Sequence, residues 1–272
     1  MEAVLDLRKS LPENADAFYQ KGKKAKDKVP GIKEAIEETE RKLEDAQKEV
    51  VRSGKQVWRQ VPKKWYHRFR WFTSSDGLLV VGGRDATSNE VLVKRHVEPH
   101  DVVFHADTAG APFVVIKNEQ KGEIPEATLN EAAQEAASFS RAWAGGLGAT
   151  DVYWVNPEQV SKEAPAGQYL TKGSFMIRGQ KNYFRSVALK AAVGFVVGED
   201  GCDVVGGPES AVAKMTPYYA VVSVGDLQSK SLAEKVRENV LRKAGPEAGP
   251  IIKACPIDSI QRVLPHGSGR VI

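Results

Sequence analysis

Phe69-Arg-Trp-Phe-Thr-Ser-Ser-Asp-Gly-Leu-Leu-Val-Val-Gly-Gly83 holds two short β-rich runs, Phe69 to Phe72 and Leu78 to Val81, on either side of a Ser-Ser-Asp-Gly turn signal. Val91 to Val93, Val102 to His105 and Phe113 to Ile116 continue the pattern, separated by Gly-Gly, Glu-Pro and Gly-Ala-Pro. Short apolar runs punctuated by Gly, Pro and Asp read as strands, so this stretch is expected to form an antiparallel meander. Pro125 suits the first position of a helix running to a Gly145-Gly146 stop. Along it Leu129, Ala132, Ala133, Ala136, Ser140 and Trp143 recur at helical spacing, a face of mostly small side chains able to lie close to a sheet. Further strands are expected at Val152 to Val155, Ser174 to Ile177 and Val187 to Val197, which makes residues 61–200 one α+β domain.

On the N-terminal side, residues 1–60 read as a helical coiled-coil segment. Pro30 should stop a first helix near Val29 to Gly31. In the second, Ile36, Leu43 and Val50 recur every seven residues with Ile32, Thr39 and Ala46 between them, a heptad seam flanked by Glu37, Glu38, Arg41 and Lys42. Two heptads are too short to stand alone, so the seam calls for a partner helix. On the C-terminal side, residues 201–272 read as a small α+β domain: a strand from Tyr218 to Val224, a Ser231/Glu234 capping box for a helix bearing Leu232, Val236 and Val240, a Gly245-Pro246 stop, and a last helical turn through Ile257 and Ile260.

The chain has 272 residues, 42% of them apolar, and a net charge of +4. Residues 1–70 hold 18 Lys and Arg against 12 Asp and Glu, and the remainder 21 against 23. A basic arm on a near-neutral body suits a phosphate backbone, although a solvated Lys-rich helix has the same composition. With Cys202 and Cys255 the only cysteines, and no basic-then-apolar N-terminal stretch, neither a disulfide framework nor a secretory signal is supported, and a cytoplasmic location follows. No apolar run approaches the roughly 20 residues of a membrane span, so no membrane partner is expected.

Polar clusters lie at Gly82-Gly83-Arg84-Asp85, Asn89-Glu90, Lys94-Arg95 and His105-Ala106-Asp107. On a strand His105 and Asp107 share a face, which would suit an acid/base pair in an RNA- or nucleotide-processing enzyme. His96, His100, His105, Asp101 and Asp107 match no metal-ligand spacing, neither Cys nor any Ser has a nucleophile signature, and Gly82-Gly83 and Gly206-Gly207 lack the rest of a phosphate loop. No metal, cofactor or catalytic residue is therefore assigned. From Tyr169 to Phe184, basic, aromatic and amide side chains interleave with glycines, as suits unpaired RNA bases, although composition alone favours a polar strand with buried aromatics. Trp65, Trp71, Trp143 and Trp154 are expected mostly in the core.

Lys64-Trp-Tyr-His-Arg-Phe-Arg-Trp-Phe-Thr-Ser-Ser-Asp-Gly77, Val81-Gly-Gly-Arg-Asp-Ala-Thr-Ser-Asn-Glu90, Asp101-Val-Val-Phe-His-Ala-Asp107, Gly110-Ala111 and Gly173-Ser-Phe-Met-Ile-Arg-Gly179 together resemble the NFACT-R domain of the family that includes eukaryotic NEMF, bacterial RqcH and archaeal homologues. Residues 14–19 and the Lys-rich stretch after them are similar to the start of the family's coiled-coil region, and residues 218–265 to its NFACT-C domain. The resemblance implies a ribosome-associated quality-control factor that recognises a stalled large ribosomal subunit carrying peptidyl-tRNA. Such a factor recruits tRNA and supports alanine tailing of the nascent chain, while the ribosome forms the bonds. The family's N-terminal domain is not matched, and the coil is short for the family, so Met1 is expected to begin a piece of a longer or split protein. The family motifs carry Arg84, Asp85, Asn89, His105, Asp107 and Arg178 to an RNA-facing surface; charge and spacing add Lys94, Arg95, Lys117 and Lys181. The partners implied are the large ribosomal subunit, rRNA and tRNA. A coiled-coil adaptor for a protein partner such as a ubiquitin ligase is the other reading.

Overall fold

The computed structural model describes residues 10–52, 64–108, 110–162, 171–198 and 201–272. The chain divides into two compact units, residues 1–59 and 60–272. In the first, α1 (Leu11–Arg52) is one continuous helix with Pro30 inside it, so the break expected at Val29 to Gly31 does not occur. Proline deletes one N–H from the helical ladder, and the Ala, Glu and Lys residues around it favour the helix strongly enough to carry it through. A capping box starts it: the Ser10 N–H donates to Glu13 Oε2 at 2.8 Å, and the Glu13 N–H to Ser10 Oγ at 3.4 Å. Ile32 and Ile36 of the heptad seam are exposed; the side chains of Ala46, Leu43 and Val50 lie outside the described residues.

The second unit opens with a 3-10 turn, Trp65–Arg68, and then β1 (Arg70–Thr73), β2 (Leu79–Gly82), α2 (Ala86–His96), β3 (Val102–Ala106), β4 (Phe113–Ile116), α3 (Glu126–Ser138), α4 (Arg141–Ala144) and β5 (Ala149–Val155). After β6 (Val160–Ser161) and β7 (Met176–Ile177) come β8 (Asn182–Ala188), β9 (Lys190–Gly198), β10 (Gly201–Gly207), α5 (Glu209–Met215), β11 (Tyr219–Leu227), α6 (Ser229–Lys243), α7 (Ala248–Ala254), α8 (Ile257–Gln261) and β12 (Gly269–Val271). The first sheet has the order β1-β2-β4-β3-β5-β8 and the second β10-β9-β11-β12, with every pairing antiparallel. The class is α+β, as expected from the strand and helix signals. Residues 199–200 fall between β9 and β10, so the second sheet draws on both sides of the boundary expected there.

Strand alternation sorts the first sheet into two faces. Val80, Phe104, Val114, Ile116 and Val152 meet α3, and their core continues into the second sheet and α6 through Val193, Val222 and Leu232. Val81, Val103, Phe113, Val115, Tyr153 and Val155 face the other way and pack with Phe69 and with Leu92 of α2. The small face of α3, with Ala132, Ala133, Ala136 and Ala137 all buried, allows the close approach that its sequence implied.

Four sequence expectations are corrected. Val91 to Val93 is helical, because the Asp85 carboxylate accepts from the Ser88 N–H at 2.7 Å while Ser88 Oγ accepts from the Asp85 N–H at 2.8 Å, closing a capping box that outweighs the local β-propensity. The helix after Pro125 ends at Ser138: Ser138 Oγ bonds the Lys190 carbonyl and N–H at 2.7 and 3.0 Å, and Ser140 caps a separate short helix. The Ser231/Glu234 box is not used, since α6 begins two residues earlier, at Ser229, without a side-chain cap. Of the tryptophans described, only Trp143 is fully buried; Trp71 and Trp154 are half-buried, and Trp65 is exposed and stacked on His96 with centroids 4.3 Å apart. Both cysteines are buried as free thiols.

A buried acid couples this fold to pH. Glu135 of α3 is 5% exposed, and burial pushes its carboxyl up to about 7, opposed by the nearby Arg70 guanidinium. Burial in turn lowers Arg70, the nearby Glu135 carboxylate opposing it. The folded protein holds the Glu135 proton up to about pH 7, whereas the unfolded chain releases it near 4.5. The contribution to stability is therefore full below pH 4.5 and lost as the pH rises through 7. Urea unfolding of wild type and Glu135→Gln at pH 5 and pH 8 should show the variant gaining about 3 kcal/mol relative to wild type at the higher pH. Parallel pH profiles for the two proteins would refute the assignment.

Candidate nucleic-acid interface

The face of the first sheet that carries α2 ends in a cleft of about 600 Å³. Its floor is His105, Phe113 and Tyr153; one side is the start of α2 from Arg84 to Asn89, and another is the 110–112 loop with Arg141 at the head of α4. The segment Thr171–Phe175 forms its lip, and Arg70 stands at the sheet end.

Each wall is held by specific contacts. Gly83 is forced by close approach: a Cβ there would lie 1.9 Å from Asn89 Oδ1, the atom that accepts the Phe113 N–H at 3.1 Å. Asn89 thereby fastens α2 to β4. At Gly173 φ is +78°, and a Cβ would meet the Ala86 carbonyl oxygen at 2.5 Å, so only glycine lets the lip lie against the first turn of α2. The Gly173 N–H donates to Glu90 Oε2 at 3.1 Å, and Lys162 Nζ donates to the Thr171 and Ser174 carbonyls at 3.2 and 2.9 Å. Glu90 is drawn down to about 2 by its hydrogen bond from Lys94 and then by the one from Gly173, so the tether stays ionised at neutral pH.

The cleft is cationic. Arg70, Arg84, Arg141 and Lys172 line it, against Asp85 as the one carboxylate among its lining residues, and Asp85 is committed to capping α2. Arg70 Nη1 donates to the Gly83 carbonyl at 2.7 Å and its guanidinium sits 4.6 Å from the Phe139 centroid; Arg84 Nη2 donates to the Phe69 carbonyl at 3.0 Å. Arg84, Arg141 and Lys172 are exposed and make no ion pair among the described residues. His105 is held neutral, burial lowering its pKa, and its Nδ1 is the one buried side-chain polar atom without a hydrogen-bond partner among the described residues.

Of the ten positions singled out from the sequence, Arg84, Asp85, Asn89 and His105 line this cleft. Asp107 and Arg178 are exposed elsewhere on the surface, Asp107 just past the end of β3. Lys181 rests over the Tyr153 ring at 4.0 Å. Lys94 is paired with Glu90 at 2.7 Å near the C-terminal end of α2, and Arg95 is exposed beside it. Lys117 is 5% exposed and bonded to Asp101 at 2.5 Å, so it is a buried structural charge and not part of an exposed face. Sequence reading passed over Arg70, Arg141 and Lys172. Arg70 lay inside the motif from Lys64 to Gly77 and Lys172 inside the basic and aromatic stretch from Tyr169 to Phe184, of which Tyr169 and Leu170 are outside the described residues, whereas Arg141 had no signal. Among the described residues no group of His, Cys, Asp and Glu is arranged to hold a metal ion, and no helix is long and apolar enough to cross a membrane.

A profile of the NFACT protein RNA binding domain matches residues 68–179, a span that contains every residue lining the cleft. An archaeal Rqc2 homologue, aRqcH of Methanocaldococcus jannaschii, is 37% identical over 77% of this chain and 30% of its own length. The ribosome quality control complex subunit NEMF homologue of Drosophila melanogaster is 42% identical over 68% of this chain and 19% of its own. The human subunit NEMF is 40% identical over 62% and 16%. The chain thus spans under a third of the length of these relatives. The chain belongs to the NFACT family of ribosome quality-control factors, and the cationic cleft lies within its RNA-binding domain.

Proposed function

We propose that residues 60–272 provide an RNA-contacting surface of a cytoplasmic ribosome-associated quality-control factor. That factor engages the large ribosomal subunit with its peptidyl-tRNA and supports alanine tailing of the nascent chain, while the ribosome itself makes the bonds. The observation that carries the reading is the cleft, with four cations against one committed carboxylate on a rigid wall of sheet and helix. Lys and Arg so placed displace condensed counterions from a phosphate backbone, and affinity then depends on salt. Asp107 and Arg178 are further candidates on the exposed surface, and α1 is the candidate site for a protein partner.

The test is binding of the full chain to purified large subunits and to tRNA across a salt series, beside an Arg84→Glu/Lys172→Glu variant. Three or four phosphate contacts predict a fall in affinity of roughly 20-fold to 150-fold between 50 and 200 mM salt, from a slope of roughly −0.7 to −0.9 per contact. The variant should bind more weakly and show a shallower slope. Salt-independent binding, or a variant that binds as wild type does, would refute the cleft as the RNA surface.

The acid/base reading of His105 and Asp107 gains little support. The imidazole Nδ1 is buried without a partner, so Asp107 does not orient the ring through that atom.

A further inference from the structure

We propose that the cleft takes a single unstacked nucleotide of an RNA chain, its phosphate on Arg84, Arg141 and Lys172 and its base against the aromatic wall. The proposal rests on the RNA-binding reading and specifies how the RNA is held. A helical backbone lying across a surface needs only cations. This site adds depth, about 600 Å³, within the range of roughly 300–1,000 Å³ for clefts that enclose a small organic ligand. Its cations and aromatics are also segregated. Arg84, Arg141 and Lys172 are exposed, whereas Phe113 and Tyr153 are buried in the floor and Phe175 is half-buried in the lip.

Phe175 is the ring that this wall presents, since Phe113 and Tyr153 are only 4% and 5% exposed and back it from the floor. Phe175 meets Phe113 edge-to-face with centroids 5.3 Å apart, and Lys162 Nζ lies 4.9 Å from the Phe175 centroid. The lip carrying Phe175 is pinned by the Gly173-to-Glu90 hydrogen bond and by the contact at Ala86 that excludes a side chain at Gly173. Opposite, the Arg141 guanidinium lies over Gly110, where a Cβ would come within 2.8 Å of its Nε. A base removed from its helix gains stacking on aromatic side chains regardless of its identity, and a base kept in a duplex is denied access to such a cleft. Neutral His105 and the Thr171 and Ser174 hydroxyls supply hydrogen-bonding groups without adding charge.

The experiment compares the full chain binding to an RNA hairpin with one unpaired adenosine and to the same hairpin fully paired, in wild type, Phe175→Leu and Arg141→Glu. Wild type is expected to prefer the bulged hairpin by roughly tenfold or more. Phe175→Leu, which keeps an apolar side chain in the lip but removes the ring, should bring that ratio towards one. Arg141→Glu should weaken binding of both hairpins, and adenosine monophosphate should compete for the bulged hairpin better than inorganic phosphate does. Equal affinity for the two hairpins, or a preference that survives Phe175→Leu, overturns the nucleotide pocket and leaves RNA binding standing. Failure to bind either hairpin, tRNA or large subunits overturns both.

Discussion

Asp101→Ala is expected to destabilise the second unit by about 3–5 kcal/mol, because it strands a buried ammonium. Lys117 on the strand side and Asp101 ahead of β3 are 5% and 2% exposed, and their charged atoms are 2.5 Å apart. Lys117 Nζ also donates to the His96 carbonyl at 2.8 Å, closing the C-terminal end of α2 against the sheet. Asp101 accepts from the Asn118 N–H at 3.0 Å and the Glu98 N–H at 2.8 Å, so one carboxylate organises the 98–101 turn and the exit of β4 together. Removing it takes away the buried partner of Lys117, leaving Nζ with only the His96 carbonyl and the exposed Glu98 carboxylate 3.6 Å away, and leaves two backbone donors unsatisfied. Asp101→Asn/Lys117→Met should recover part of the loss, since no charge remains buried and the amide oxygen can still accept from one of the two backbone donors, which bond different oxygens of Asp101. Urea unfolding of both variants measures this. A double variant as unstable as the single one would mean that the loss comes from the turn geometry and not from the stranded charge.

Trp143→Ala should cost a further, independent 3–5 kcal/mol or so, the range for deleting a buried aromatic. Trp143 is 1% exposed, and its Nε1 donates to the Ser268 carbonyl at 2.9 Å, joining α4 to the segment leading into β12. Gly267 and Gly269 bring that segment against the indole, with virtual Cβ positions 3.2 and 3.4 Å from ring atoms. Filling the site with alanine therefore opens a cavity and releases a strand. Hydrogen exchange should show faster opening of residues 269–271 and their β11 partners, with the far strands of the first sheet little changed. Trp143→Phe keeps much of the volume and loses chiefly the hydrogen bond, a cost of about 1 kcal/mol beyond the smaller packing deficit. Uniform acceleration across both sheets would show that Trp143 supports the whole core and not this junction.

The difference between what was and was not legible follows from the range of the interactions concerned. Strands at Phe69 to Phe72, Leu78 to Val81, Val102 to His105 and Phe113 to Ile116 were readable to within a residue or so because alternation and turn residues act locally. The Ala-rich face after Pro125 was readable for the same reason. Val91 to Val93 was misread because three apolar residues carry no period of their own; the decision lay with Asp85 and Ser88, several residues upstream. Residues 201–207 and 209–215 were given neither a strand nor a helix. The first pairs along its whole length with β9, and the second packs on β9 at Gly194, where a Cβ would come within 2.6 Å of Val212.

The sequence by itself determined the α+β class, the alternating strand faces, the close-packing helix and the family, because each is written in local periodicity or in motifs of contiguous residues. Tertiary structure alone decided where charge is exposed. Lys117, by sequence one more surface cation, is buried against Asp101, while Arg70 and Arg141, 71 positions apart, stand on one cleft with Lys172. Burial and convergence depend on which segments the sheet order brings side by side, and no spacing along the chain encodes them.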